Sequence, residues 1–172
     1  GKSTLFNKLS DSDVFSNFLL FATLDPSMRK IKLPSGKVVI LSDTVGFISD
    51  LPTELVMAFR ATLEEVLDAD VIVHVRDYYH EDSRAQRKDV EAVLSDLGLK
   101  EEVEEGLIEA LNKIDLYDED DRKMILEQKK RRPKECPICA EKGEGFEKLL
   151  NCIEEALNKN AKEVELKIPV TN

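Results

Sequence analysis

Short strand-like apolar runs alternate with stretches of helical period along nearly the whole chain. This alternation restricts the fold strongly. Strand–helix–strand units close as right-handed crossovers, which builds a mostly parallel sheet with helices on both faces. The periodicity predicts a helix over Ser3–Leu9 and an irregular Asp11–Pro26. Strands follow at Met28–Leu33 and Val38–Ser42, joined by the hairpin signal Pro34-Ser35-Gly36. Thr53–Leu67 reads as a helix, with Leu55, Phe59, Leu63 and Val66 on one face, Pro52 at its start and Thr53 as a cap. Beyond it come strand Asp70–Arg76, helix Asp82–Leu97, strand Leu107–Leu111 and helix Asp120–Arg132. A short strand Glu135–Cys139, a helix Gly145–Leu157 and a last strand Val164–Ile168 complete the pattern. The expected fold class is α/β, a three-layer, doubly wound, mostly parallel sheet.

Composition removes several functional classes. The 172 residues are 42% apolar and 35% charged, an ordinary globular balance for one domain with at most a short appendage. No apolar run approaches the roughly 20 residues that span a bilayer, so no membrane span is expected. The first ten residues, GKSTLFNKLS, lack the apolar core of a signal peptide. Three cysteines point to a reducing compartment rather than a disulfide scaffold; a cytoplasmic location is expected, and a mitochondrial matrix homologue is compatible with it. A net charge of −10 disfavours non-specific binding of DNA, though not a local contact with a nucleoprotein. The basic run Lys129–Lys134 has two readings. It can complement the C-terminal dipole of a helix, or meet RNA or another acidic partner.

Residues Gly1, Lys2, Ser3 and Thr4 read GKST, and a helix follows at once. This is the tail of the phosphate-binding pattern G-x-x-x-x-G-K-[ST]. Lys2 can set its charge against β- and γ-phosphates, Ser3 can offer its hydroxyl to Mg²⁺, and the helix N-terminus directs free N–H groups at an anion. The same tetrapeptide also suits a helix cap or a cloning scar. Asp43-Thr44-Val45-Gly46 ends a predicted strand, where ligands collect in open α/β sheets. Asp43 can hold Mg²⁺, and Gly46 lets a backbone N–H approach a γ-phosphate. Asn112-Lys113-Ile114-Asp115 follows another strand. Guanine presents two adjacent donors, N1–H and the 2-amino group, and the Asp115 carboxylate can accept both; adenine would leave it unpaired. Asn112 can brace the loop and reach the base, while the Lys113 stem can cover the ring. Cys139-Ala140, at a further strand end, can supply a backbone N–H to the guanine oxygen. Each segment alone suits an ordinary polar loop; their order and spacing together do not.

These motifs, with Phe21-Ala22-Thr23-Leu24-Asp25-Pro26, Asp43-Thr44-Val45-Gly46-Phe47, Leu51-Pro52, Phe59-Arg60-Ala61-Thr62-Leu63-Glu64-Glu65 and His74-Val75-Arg76-Asp77, make the chain resemble the translation-factor-like GTPases, and among them the HflX family. The resemblance runs from residue 1 to about 168. It implies a GTP-binding, GTP-hydrolysing domain, with GTP or GDP as ligand and Mg²⁺ as cofactor, in a protein that associates with the large ribosomal subunit. By the resemblance, Phe21, Ala22 and Thr23 belong to the nucleotide loop, and Ser3, Thr23 and Asp43 form the metal set. Lys2, Thr23 and Gly46 act on the reacting phosphate. Read without the family, Thr23 is equally a turn residue before Asp25-Pro26. Phe47 follows Gly46 where many related GTPases carry a water-orienting Gln or His, so slow intrinsic hydrolysis is expected.

No residue precedes Gly1, so the expectation is an N-terminally truncated domain over 1–160, lacking its first strand and the front half of the phosphate loop. Residues 161–172 would begin an extension or form the last strand. Weak GTP binding and incomplete folding would follow, and a non-catalytic nucleotide-sensing or ribosome-docking role is the competing expectation. Cys136-Pro137-Ile138-Cys139 has redox or zinc spacing, yet it reads as a strand rather than a helix N-terminus, so structural thiols are expected. His74 is expected in the sheet and His80 in an exposed turn. Phe15, Phe18, Leu19, Leu20 and Phe21 form an apolar cluster that can pack on the sheet or dock a partner.

Overall fold

Side chains alternate across a strand, so each strand sorts its residues between two layers. A computed structural model of the chain describes residues 1–10, 28–43 and 66–160. Helix α1 spans Lys2–Ser10, and a hairpin of β1 (Met28–Lys32) and β2 (Val38–Ser42) follows. Next come β3 (Val73–Asp77), α2 (Ser83–Asp96), α3 (Lys100–Glu105) and β4 (Ile108–Asn112). A 3₁₀ turn over Ile114–Leu116, α4 (Glu119–Lys130), β5 (Glu135–Pro137) and α5 (Phe146–Asn160) complete the described part. The predicted Asp11–Pro26 segment, most of the helix Thr53–Leu67, the strand Val164–Ile168, the Phe15–Phe21 cluster and Phe47 lie outside the described residues; Val66 and Leu67 are helical.

The hairpin is antiparallel, with Met28 opposite Ser42 and Lys32 opposite Val38. Its turn closes through Gly36 N–H to Leu33 O at 2.8 Å, with Gly36 at φ +92°, a conformation glycine adopts without a Cβ penalty. Strands β3, β4 and β5 form a parallel sheet in that order, Val73 beside Ile108 and Glu109 beside Glu135. Among the described residues no ladder joins the hairpin to this sheet. They share a core instead. Ile31 and Leu33 of the hairpin region pack with Leu5 of α1, Ile108 and Ala110 of β4, Cys136 of β5, and Leu149 and Ile153 of α5. Val90 and Leu94 of α2 form the opposite layer with Val66 and Leu99, and Ile72 and Leu107 pack against it. The result is helix, sheet, helix. Each fully buried Leu or Ile here contributes about 1.5–3 kcal/mol relative to exposure.

Element boundaries move by a few residues from the periodicity. The run Asp70–Arg76 joins the ladder only from Val73, and Glu135–Cys139 only as far as Pro137. Cys139 instead forms an isolated bridge with Glu144, through N–H···O bonds of 3.1 and 3.2 Å. Gly145, at φ +79°, opens α5; a Cβ there would overlap the Pro137 carbonyl oxygen. Asp118 caps α4, its side chain accepting from Asp121 N–H at 2.8 Å. No helix among the described residues is long and apolar enough to cross a membrane.

Candidate functional site

Strands β4 and β5 end side by side, and the loops beyond them meet the start of α1. Gly1, Thr4, Asn112, Lys113, Asp115, Leu116, Cys139, Ala140 and Glu141 line a cavity of about 250 Å³. Asn112, 4% exposed at the end of β4, organises it. Its Oδ1 accepts from Lys113 N–H at 2.9 Å and from Ala140 N–H at 3.0 Å, tying the two loops together. Lys113 stands at φ +70°, and Ile114 N–H donates to Ile138 O at 3.3 Å. The half-buried Asp115 follows in the 3₁₀ turn. Burial pushes the Cys139 thiol up, the Lys142 backbone opposes this, and the Asp115 carboxylate raises it further.

The α1 terminus carries the complementary charge. Leu5 N–H donates to Gly1 O at 3.1 Å, the first turn of the helix. Lys2 Nζ donates to Asp43 Oδ1 at 2.5 Å, linking α1 to the residue after β2. Ser3 is exposed at the same helix end. Phe21, Ala22, Thr23 and Gly46 lie outside the described residues.

A larger cavity of about 410 Å³ lies at the C-terminal end of α4, ahead of β5, lined by Glu127, Gln128, Lys129, Arg131 and Arg132. It carries less chemistry. Lys129 and Arg132 are paired with Glu135, and Lys130 with Glu127. Lys148 Nζ donates to the carbonyls of Lys129 and Glu135, both at 2.8 Å. The basic run therefore finishes α4 and fastens it to β5, rather than presenting free cations throughout.

Residues 1–113 match the family model described as 50S ribosome-binding GTPase. The GTPase HflX of Caldanaerobacter subterraneus subsp. tengcongensis is 45% identical over 169 residues, covering 98% of this chain and 37% of that protein. The chain belongs to the HflX family of GTPases. A GTP-binding protein of Arabidopsis thaliana, named as chloroplastic, is 50% identical over 121 residues, 70% of this chain and 19% of that protein. The crystal structure of SsGBP in complex with GDP aligns with a TM-score of 0.65 at 25% identity, covering 93% of this chain and 47% of that one. This HflX-family chain thus spans less than half the length of these relatives.

Two features of the HflX-family chain escape sequence reasoning. The first is the support under the Asn112–Asp115 loop. Asp77 Oδ2 accepts from Lys113 Nζ at 2.6 Å, Tyr78 N–H donates to Asn112 O at 3.0 Å, and Tyr117 Oη donates to Tyr78 O at 2.8 Å. The second is a buried charge cluster on the α2 side of the sheet. Glu109, 3% exposed, faces Arg87 Nε at 3.4 Å, His74 Nδ1 at 3.6 Å and Arg76 Nη2 at 3.7 Å. Burial raises its carboxyl, but His74, Arg76 and Arg87 outweigh that and hold it below the usual carboxylate range.

The cysteines also pair differently from their spacing. Cys136 and Cys139 are free thiols facing different surroundings, the core and the cavity. Cys136 Sγ donates to Pro133 O at 4.0 Å and is coupled to the Cys152 thiol of α5. That coupling, with burial, pushes the Cys136 thiol up and lowers its partner Cys152. His80 Nδ1 accepts from Asp82 N–H at 3.1 Å in its turn. Among the described residues no group of three or more His, Cys, Asp or Glu side chains is placed to hold a metal.

Proposed function

We propose that this chain is the guanine-nucleotide domain of an HflX-type GTPase, that it hydrolyses GTP to GDP and phosphate with Mg²⁺, and that its parent protein associates with the large ribosomal subunit. Residues 1–160 form that domain and 161–172 lead out of it. The observation that carries the reading is the cavity joining the α1 N-terminus to the Asn112–Asp115 loop and Cys139-Ala140. It sets an anion-binding helix end opposite a carboxylate suited to guanine. Asp115 accepts the two guanine donors and the Lys113 stem flanks the ring, while Asn112 holds the Cys139-Ala140 loop against the base side of the cavity by taking the Ala140 N–H, which is therefore turned to Asn112 and not to the base oxygen. Gly1 and Thr4 belong to the phosphate end, where Phe21 and Ala22 approach the nucleotide.

Ser3 and Asp43 are hard oxygen donors of the kind Mg²⁺ takes, and the lysine beside Asp43 keeps its carboxylate at the α1 end, so the residues fit that ion. Ser3, Asp43 and Thr23 would hold it, and when bound it supplies charge neutralisation along the phosphates. Lys2 exchanges Asp43 for the β- and γ-phosphate oxygens and stabilises the charge that develops on them. Thr23 and Gly46 offer backbone N–H groups to the γ-phosphate. A water attacks the γ-phosphorus, the bond to the bridging oxygen breaks, GDP leaves with that electron pair, and the water's proton passes to phosphate or solvent. Phe47 cannot hydrogen-bond the water, so assistance comes from outside this chain. A reducing compartment, cytoplasmic or organellar, suits its unpaired thiols.

The test is calorimetric titration with GDP and ADP, followed by GTP turnover with and without Mg²⁺ and with added large ribosomal subunits. The expectation is a strong GDP preference, turnover abolished by chelation, and acceleration by the subunits. Equal affinity for both purines would sink the reading.

A further inference from the structure

Asp77 ends β3 and lies directly in register with Asn112, the residue that ends β4. Its Oδ2 accepts from Lys113 Nζ at 2.6 Å, and its Oδ1 is buried with no partner among the described residues. One oxygen thus sits on the lysine and the other is shielded from water, so this is no spare surface charge. At the other end of the same lysine, the main chain is left-handed, φ +70°, the one non-glycine residue so placed among those described. L-residues disfavour that conformation, and it persists where surrounding contacts over-determine it. Lys113 has two such contacts: its N–H on Asn112 Oδ1 and its Nζ on Asp77 Oδ2. Lys113 and Asp115 both line the cavity.

We propose that Asp77 is a positioning residue for base recognition: by pinning Lys113 Nζ it orders the lysine stem and the left-handed turn that delivers Asp115 to the guanine edge. The proposal rests on the guanine-binding function above. A lysine is among the side chains that lose most rotamer freedom on ordering. When Asp77 has ordered it beforehand, nucleotide binding does not bear that cost.

The test is a double-mutant cycle by calorimetry on the intact protein, with GDP and with inosine diphosphate, which lacks the 2-amino group. Asp77→Ala is expected to weaken GDP binding about tenfold and to narrow the GDP/inosine diphosphate ratio. Asp77→Asn, whose amide oxygen still accepts from Nζ, is expected to retain most of both. Lys113→Met is expected to match Asp77→Ala, with the double variant no worse than either. It also carries the test should Asp77→Ala fail to fold. Additive losses, an unchanged base ratio or tighter GDP binding by the single variants would overturn the proposal alone. Wild-type protein that does not prefer GDP to ADP would overturn the guanine reading and this proposal with it.

Discussion

In the proposed function Asp115 reads its base by accepting two parallel hydrogens, so changing the acceptor should change the base. Xanthine keeps N1–H but replaces the 2-amino group with an oxygen. Asp115→Asn offers one acceptor and one donor, which matches xanthine. The variant is expected to lose about 10–100-fold in GDP affinity and to gain affinity for xanthosine diphosphate, measured by competitive titration. A second residue prediction concerns Glu109. Its carboxyl titrates lower in the folded chain than its unfolded value of 4.5, so the unfolded state binds more protons between the two values. The stability it contributes is complete above pH 4.5 and lost as pH falls through the lower, folded value. Glu109→Gln is expected to cost about 3 kcal/mol in urea unfolding at pH 7, because Arg76 and Arg87 lose a buried partner, and to lose less stability than wild type on acidification. At this scale the meeting of Asn112, Lys113 and Asp115 with Cys139 and Ala140 at one cavity was legible because few loops need Asn, then Lys, then Asp at those intervals. Asp77 and Glu109 were not. An Asp after a strand is commonplace, and a Glu inside Leu107–Leu111 declares itself only when His74, Arg76 and Arg87 are brought round it by two other elements.

Elements show where local pattern and tertiary context part company. The longer helices were legible from period, but the short α3 and the cap at Asp118, which starts α4 ahead of its predicted Asp120, were not. Asp118→Ala is expected to cost about 1 kcal/mol. Gly145→Ala is expected to cost more than about 2 kcal/mol, since it meets both a positive φ and the Pro137 carbonyl; chemical denaturation of both variants checks the ranking. Strand ends were less legible. Val71 and Ile72 are as apolar as Val73, yet pairing begins at Val73, because register belongs to the neighbouring strand. Cys136 and Cys139 show the same limit. Cys136 lies in β5 and faces the core, Cys139 lies past its end and faces the cavity, and the thiol coupled to Cys136 comes from α5, 16 positions along the chain.

Across the whole molecule, the cavity is assembled from parts more than a hundred positions apart: Gly1 and Thr4 on one side, Asn112 to Glu141 on the other. A ligand that bridges them stabilises the folded state by mass action. GDP at 100 times its dissociation constant is expected to add about 2.7 kcal/mol and to raise the melting midpoint by several degrees, whereas ADP at the same concentration should leave it in place. The three-layer arrangement was legible from alternation alone, because each half-apolar strand and helix has one way to bury its face. That the hairpin and the parallel sheet share a core without sharing a ladder was not, since strand order is absent from periodicity. The Lys2–Asp43 ion pair draws a consequence from this arrangement. It is a latch between the first helix and the end of the ribbon, and its key is the very ammonium group that a triphosphate covets. On the proposed function, a phosphate that takes this ammonium frees the Asp43 carboxylate beside the same helix end.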